Sequence, residues 1–214
     1  MILNLVSLET TAAAINIMMV VNTAIALRGQ VYLVNREIYA LTLIGILPGV
    51  PLGLWLLNTL TSQSTQLLQL ALGVLVLFTG VMLSVRPKPR SKGSSKSSFA
   101  IAGALGGILG GLFSVPGPPV IYHFYMQPLA VEQVRLTLLG VFGTIALLRL
   151  TFLLANQGIA PDALYLGTLS IPVVAVATAL LLKYPPALSE MTIRRCAFVL
   201  LSGMGIVILA VAWA

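Results

Sequence analysis

The chain has 214 residues, 58% hydrophobic and 8% charged, whereas a soluble domain carries about 25% charged residues. That balance excludes a water-soluble globular domain and points to an all-α integral membrane protein, with lipid as the solvent for most of its surface. The net charge of +7, from 12 basic and 5 acidic residues, lies between apolar runs rather than in a stripe interleaved with aromatics, so it orients the chain in the membrane and does not make a nucleic-acid surface.

Apolar runs of about 20 residues are predicted spans. The first covers about Thr10 to Leu27 and is unusually polar, with Asn16, Asn22 and Thr23. Asn16 and Asn22 are about 600° of helical turn apart, so they do not share a narrow face; they either line a cavity or bond neighbouring helices. Nothing before this span reads as a basic region followed by an apolar one, so no cleavable signal peptide is expected. The second span, about Ile38 to Leu57, contains Pro48 and Pro51, and the third runs from about Gln66 to Val85. Glu9 and Glu37 sit at span ends and read as solvated.

Arg86 to Ser98 holds five positive charges and no acid among Pro, Gly and Ser, the composition of a flexible linker. An anionic-lipid contact there is secondary. After an irregular segment, Phe99 to Met126, come spans at about Val134 to Ala155, Ala163 to Lys183 and Ile193 to Ala214. Cys196 is the single cysteine, which rules out an internal disulfide and reads as a small packing residue.

The irregular segment is the most informative. Gly106, Gly107, Gly110 and Gly111 stand at spacings that let another helix approach, and Pro116, Pro118 and Pro119 then remove three N–H donors and block a straight helix. Broken backbone at membrane depth is tolerated only when buried in protein or lining a wet cavity, and transporters place substrate sites at such breaks. The bland alternative is a kinked packing helix.

The halves of the chain resemble each other. A shift of 123 residues carries Glu9 onto Glu132, Ala40-Leu41 onto Ala163-Leu164, and Leu77, Thr79 and Gly80 onto Leu200, Ser202 and Gly203; Pro48 meets Pro172 if one residue is inserted. Residues 1–85 read as a first repeat, 86–98 as the basic linker and 99–214 as a second repeat. The counterpart of the Gly/Pro segment would then lie upstream of Met1, so a complete two-repeat protein is expected to carry about 25 further N-terminal residues. Charge places Arg28, Arg36 and the linker inside. If the Gly/Pro segment enters and returns on one side, Arg194 and Arg195 also fall inside. The repeats then run in opposite directions. About seven membrane segments are expected, one of them broken or re-entrant.

Several residues are candidates for chemistry. His123, the sole histidine, is a proton-coupling candidate or a histidine satisfied by a neighbour. Arg135 could neutralise an anionic substrate by forked hydrogen bonds, or serve as an orientation charge or partner of Glu132. Thr137 accompanies it. Arg149, deeper in that span, either snorkels or belongs to the site. Ser114 and Tyr122 flank the break and offer hydroxyls. No HExxH motif, Cys/His cluster or Walker loop is present, so no enzyme, cofactor or metal is expected; Ser114 and His123 lack a third, orienting group for hydrolysis.

The run Leu109-Gly110-Gly111-Leu112-Phe113-Ser114-Val115-Pro116-Gly117-Pro118-Pro119-Val120, followed by Arg135-Leu136-Thr137-Leu138, resembles the second-repeat signature of the sulfite exporter TauE/SafE family. Two positions depart from it: Pro116 stands where the family usually has Gly, and Pro118 where it often has a second Gly. The first-repeat glycine motif is missing. The resemblance implies a multi-pass permease of the bacterial inner membrane moving small anions such as sulfite, sulfonates or related organic acids, in two homologous halves. Substrate binding is expected at Gly111, Ser114, Pro116, Gly117, Pro118, Pro119, Arg135 and Thr137, with alternating access around the break. The expected partners are the lipid bilayer and a small anion, a homo-oligomer being left open. The competing class is a non-transporting membrane subunit, scaffold or degenerate paralogue.

Overall fold

The computed structural model describes residues 8–63, 65–84, 90–114, 118–156 and 158–184, with five isolated positions beyond them. The described residues form seven α-helices: α1 (Leu8–Leu27), α2 (Arg36–Gln63), α3 (Thr65–Ser84), α4 (Lys96–Phe113), α5 (Pro118–Tyr125), α6 (Val131–Asn156) and α7 (Pro161–Lys183). Five of them, α1, α2, α4, α6 and α7, are long and apolar enough to cross a membrane, and α3 falls on the third expected span. Cys196 and most of the expected span from Ile193 to Ala214 lie outside the described residues.

The closest packing is between α2 and α4. On α2 the buried residues Thr42, Ile46, Val50 and Leu54 recur every four, the spacing of one helix face. On α4 the buried face is Phe99, Ala102, Gly103, Gly106, Gly107, Gly110 and Gly111. A Cβ on Gly107 would stand 3.1 Å from the Cα atoms of both Gly49 and Ile46, and one on Gly111 only 2.6 Å from the Val50 carbonyl oxygen. One on Gly45 or Gly103 would overlap the facing backbone outright. Small residues four apart on both helices thus let the backbones touch, the packing that replaces the hydrophobic effect between helices in lipid. Pro48 and Pro51 lie on the exposed side of α2, so the ladder they interrupt is not the one facing α4.

A second group joins α1, α6 and α7. Thr23 of α1 fills the notch at Gly143 of α6 and its Oγ1 donates to the Leu139 carbonyl at 3.3 Å. Ile17 packs over Gly167 of α7, and Thr178 Oγ1 donates to Asn22 Oδ1 at 2.7 Å. Asn22 and Thr23 therefore take the interhelical-bonding role, one of the two that their residue types allow. Between the groups, the Tyr39 hydroxyl bonds the Thr144 hydroxyl at 2.6 Å.

These contacts fix helix directions. Leu27 lies by Gly140 and Thr23 by Gly143, so α1 and α6 are antiparallel. Ile17 meets Gly167 and Asn22 meets Thr178, so α1 and α7 are parallel. The Asn35 N–H donates to Thr137 Oγ1 at 3.0 Å, and Lys96 pairs with Glu37 at 2.9 Å. The C-terminal ends of α1 and α7 thus share one end of the molecule with the N-terminal ends of α2, α4 and α6. Arg28, Arg36, Arg90, Lys92, Lys96, Arg135 and Lys183 all belong to that end. Among the described cations, Arg149 alone sits away from it.

Candidate functional site at the end of helix α4

Helix α4 stops at Ser114, whose φ is +58° and whose N–H donates to the Gly110 carbonyl at 2.9 Å. This is the left-handed helix termination usually given to glycine, and an L residue held there costs about 1–2 kcal/mol. Residues 115–117, including the predicted site residues Pro116 and Gly117, lie outside the described residues; of Pro118 only the backbone is described. Pro118 and Pro119 open α5, where a missing N–H is harmless because the first-turn donors have no helical acceptor anyway.

Helix α5 leads back toward the start of α4. Gln127, 2% exposed, accepts from the Ser94 N–H at 3.0 Å and donates from Nε2 to Ser94 Oγ at 2.9 Å. It also donates to the His123 carbonyl at 2.8 Å, and the Arg90 N–H donates to the Met126 carbonyl at 2.8 Å. His123 Nε2 bonds the Ser98 hydroxyl at 3.1 Å with its ring edge-on to Phe99, centroids 4.8 Å apart. His123 lies outside the five candidate spans. Burial, and next the Arg90 charge, push its pKa below the usual imidazole value, so its neutral form is favoured.

The other end of α4 meets Arg149. This guanidinium is 4% exposed, and its Nη1 donates to the carbonyls of Gly110, at 2.7 Å, and Gly111. Both carbonyls lie in the last turn of α4, where the Gly110 oxygen also accepts from the Ser114 N–H, and they carry the negative end of its dipole. Asn16 of α1, 2% exposed, donates from Nδ2 to the Ala12 carbonyl at 2.8 Å and approaches Ser114 Oγ at 3.4 Å. Three helices thus converge polar groups on the point where α4 ends: Asn16 from α1, Ser114 from α4 and Arg149 from α6.

The predicted site residues divide between the two ends. Gly111 and Ser114 lie at the buried end with Arg149. Arg135 is exposed near the start of α6, and Thr137 is buried but binds Asn35, so both stand at the basic end. Tyr122 and His123 lie on α5 toward that same end. Arg149 has a signal in the sequence: seven residues of helix follow it, ending with Asn156, about 10 Å of rise, further than a simple snorkelling position. Gln127 carries no such signal, since an amide before Pro128 reads as an ordinary loop residue.

Comparison with known proteins agrees with this architecture. The family model for the sulfite exporter TauE/SafE matches residues 1–208. A protein of Cupriavidus necator described as a probable sulfite/organosulfonate exporter TauE is 36% identical over 204 residues, covering 95% of this chain and 79% of that protein. No solved structure matches. A match along nearly the whole chain, on a helical protein with several apolar spans, identifies a multi-pass transporter of the bacterial plasma membrane rather than an enzyme, and the chain belongs to the sulfite exporter TauE/SafE family.

Proposed function

We propose that the protein moves a small sulfur-containing anion, sulfite or an organosulfonate, across the bacterial plasma membrane by alternating access around the end of α4. The observation that carries this is the buried convergence of Asn16, Ser114 and Arg149 on a helix that stops inside the protein. An intramembrane cation is costly and for that reason points to a functional site, and irregular backbone at that depth suits a binding site. The name of the Cupriavidus necator relative supports the choice of anion.

On this reading α4 and α5 form one re-entrant hairpin with its tip at residues 114–118. The bonds from α5 and Gln127 back to Ser94 and Ser98 support it, as does the collection of cations at one end, which becomes the cytoplasmic side. The chain is built of two inverted repeats, 1–85 and 99–214, joined by the basic linker. Shifting Leu8, the first residue of α1, by 123 gives Val131, the first of α6. The antiparallel run of α1 and α6 fits that inversion. Substrate binding involves Gly111, Ser114 and the α5 N-terminus at Pro116 to Pro119. Arg135 attracts anions at the cytoplasmic mouth, Thr137 pins the α1–α2 connection there through Asn35, and His123 is the proton-coupling group.

The test is flux in proteoliposomes. Purified protein should move radiolabelled sulfite, or taurine or sulfoacetate, down an imposed gradient faster than empty vesicles, and Arg135→Gln should lower that flux in protein that still inserts. Flux equal to empty vesicles for all three anions would overturn the reading.

A further inference from the structure

We infer that Arg149 is the residue that recognises the substrate's negative charge, and that the anion does so by taking Arg149 away from the end of α4. The inference rests on the transport reading above and adds to it the recognition chemistry and its link to movement. In the present state one nitrogen, Nη1, serves the carbonyls of Gly110 and Gly111. Nη1 carries two of the five guanidinium hydrogens and gives both to one helix end. Those acceptors carry partial charge, whereas an oxyanion carries a full one. Bonds from Arg149 to the carbonyls are charge-assisted through the donor alone, whereas an oxyanion ionises the acceptor as well and takes a guanidinium through two parallel bonds, so an anion arriving at this end competes with the carbonyls for Arg149.

The neighbours suit a small oxyanion. Ser114 Oγ and Asn16 Nδ2 meet at 3.4 Å, longer than a well-formed bond, so the Ser114 hydroxyl can turn toward a third partner at little cost while Asn16 stays anchored on the Ala12 carbonyl. Ser114 is held at positive φ, a conformation that sets its hydroxyl beside α1 and persists only where its surroundings impose it. Arg135, the other arginine of α6, cannot take this role. It is exposed near the start of the helix, fourteen residues before Arg149 by sequence position and so about 21 Å along the axis. When the anion draws Arg149 off Gly110 and Gly111, the end of α4 loses a clamp to α6. Binding therefore loosens the hairpin from α6, and the same substitution changes affinity and movement together.

The test compares two sulfonates by isothermal titration of purified protein: sulfoacetate, a dianion, and taurine, a zwitterion of no net charge. Wild type is expected to bind sulfoacetate more tightly than taurine. Arg149→Gln should weaken sulfoacetate by tenfold or more and abolish the preference, while Arg149→Lys, which keeps the charge and loses the fork, keeps the preference at reduced affinity. An arginine that merely shapes the site would weaken both ligands in proportion, and that result, or unchanged affinity for sulfoacetate, overturns the inference while leaving transport intact. If Arg149→Gln does not fold, Asn16→Asp decides with Arg149 in place: a carboxylate beside Ser114 should weaken sulfoacetate selectively, and equal affinity sinks the idea. Wild type that binds neither sulfonate nor sulfite overturns the transport reading and this inference with it.

Discussion

The two ends of the α4–α5 pair are both polar and both tied to the rest of the protein, yet they are built differently. At the basic end, Gln127, Ser94, His123 and Ser98 bond one another, and these bonds are neutral and local. At the other end a single cation from a third helix holds backbone carbonyls, beside a serine in a conformation it does not prefer. A closed neutral network rigidifies. A buried charge on helix-end carbonyls is an arrangement that another charge can disturb. The comparison teaches that the linker end is held by a neutral network and the Ser114 end by a buried charge, so the two ends should answer differently to an added anion.

Both ends depend on the wall formed by α2, and breaking that wall should have the largest effect. Gly103→Leu or Gly45→Leu forces the touching backbones of α2 and α4 apart, at a cost of about 3 kcal/mol or more, and should appear as loss of monodisperse protein on size-exclusion chromatography. Next comes Arg149→Met. It leaves the Gly111 carbonyl without the Arg149 bond, worth about 2 kcal/mol, and should lower the detergent melting temperature while flux is lost. Gln127→Ala sharpens the comparison from the other side. It removes three hydrogen bonds at the basic end, costs about 1–2 kcal/mol, and should speed tryptic cleavage at Arg90 and Lys92 while leaving sulfite affinity within about twofold.

Two smaller effects complete the series. Ser114→Gly relieves the positive φ and should raise stability by up to about 1 kcal/mol, yet weaken anion binding through the lost hydroxyl. For His123 the sign follows from a pKa held below the unfolded value by burial and by Arg90. As pH falls through the ordinary imidazole range near 6.5 the unfolded state takes up the proton first, so stability is lost from there down to the folded pKa. Melting temperature should drop between pH 7.5 and 5, and His123→Phe should flatten that slope.

The helices themselves were legible in the sequence because lipid demands long apolar runs: α1, α6 and α7 begin and end near the predicted limits, while α2 runs on past Leu57 to Gln63. Three prolines after four glycines argue against one straight helix but leave a break and a kinked packing helix both open, and the sequence does not mark Ser114 as the cap of α4. The location of charge was not legible either. Arg135 stands beside a motif in the sequence, but helix rise carries it to the basic end, while Arg149, 38 residues past Gly111, is brought onto its carbonyl by the packing of α6 on α4. Nor could composition decide whether Asn16, Asn22 and Thr23 line a cavity or bond neighbours. The structure divides them, giving Asn22 and Thr23 to helix contacts and Asn16 to the end of α4. Such assignments depend on which helix faces which, and that is tertiary information.

Hydrogen–deuterium exchange of the purified protein with and without sulfite tests the central claim most directly, because it reads both ends of the α4–α5 pair in one experiment. The account predicts that sulfite changes exchange in the peptides spanning Gly106 to Tyr122 and around Arg149, with Arg90 to Ser98 and Met126 to Ala130 unaffected. A change confined to the basic end would contradict it.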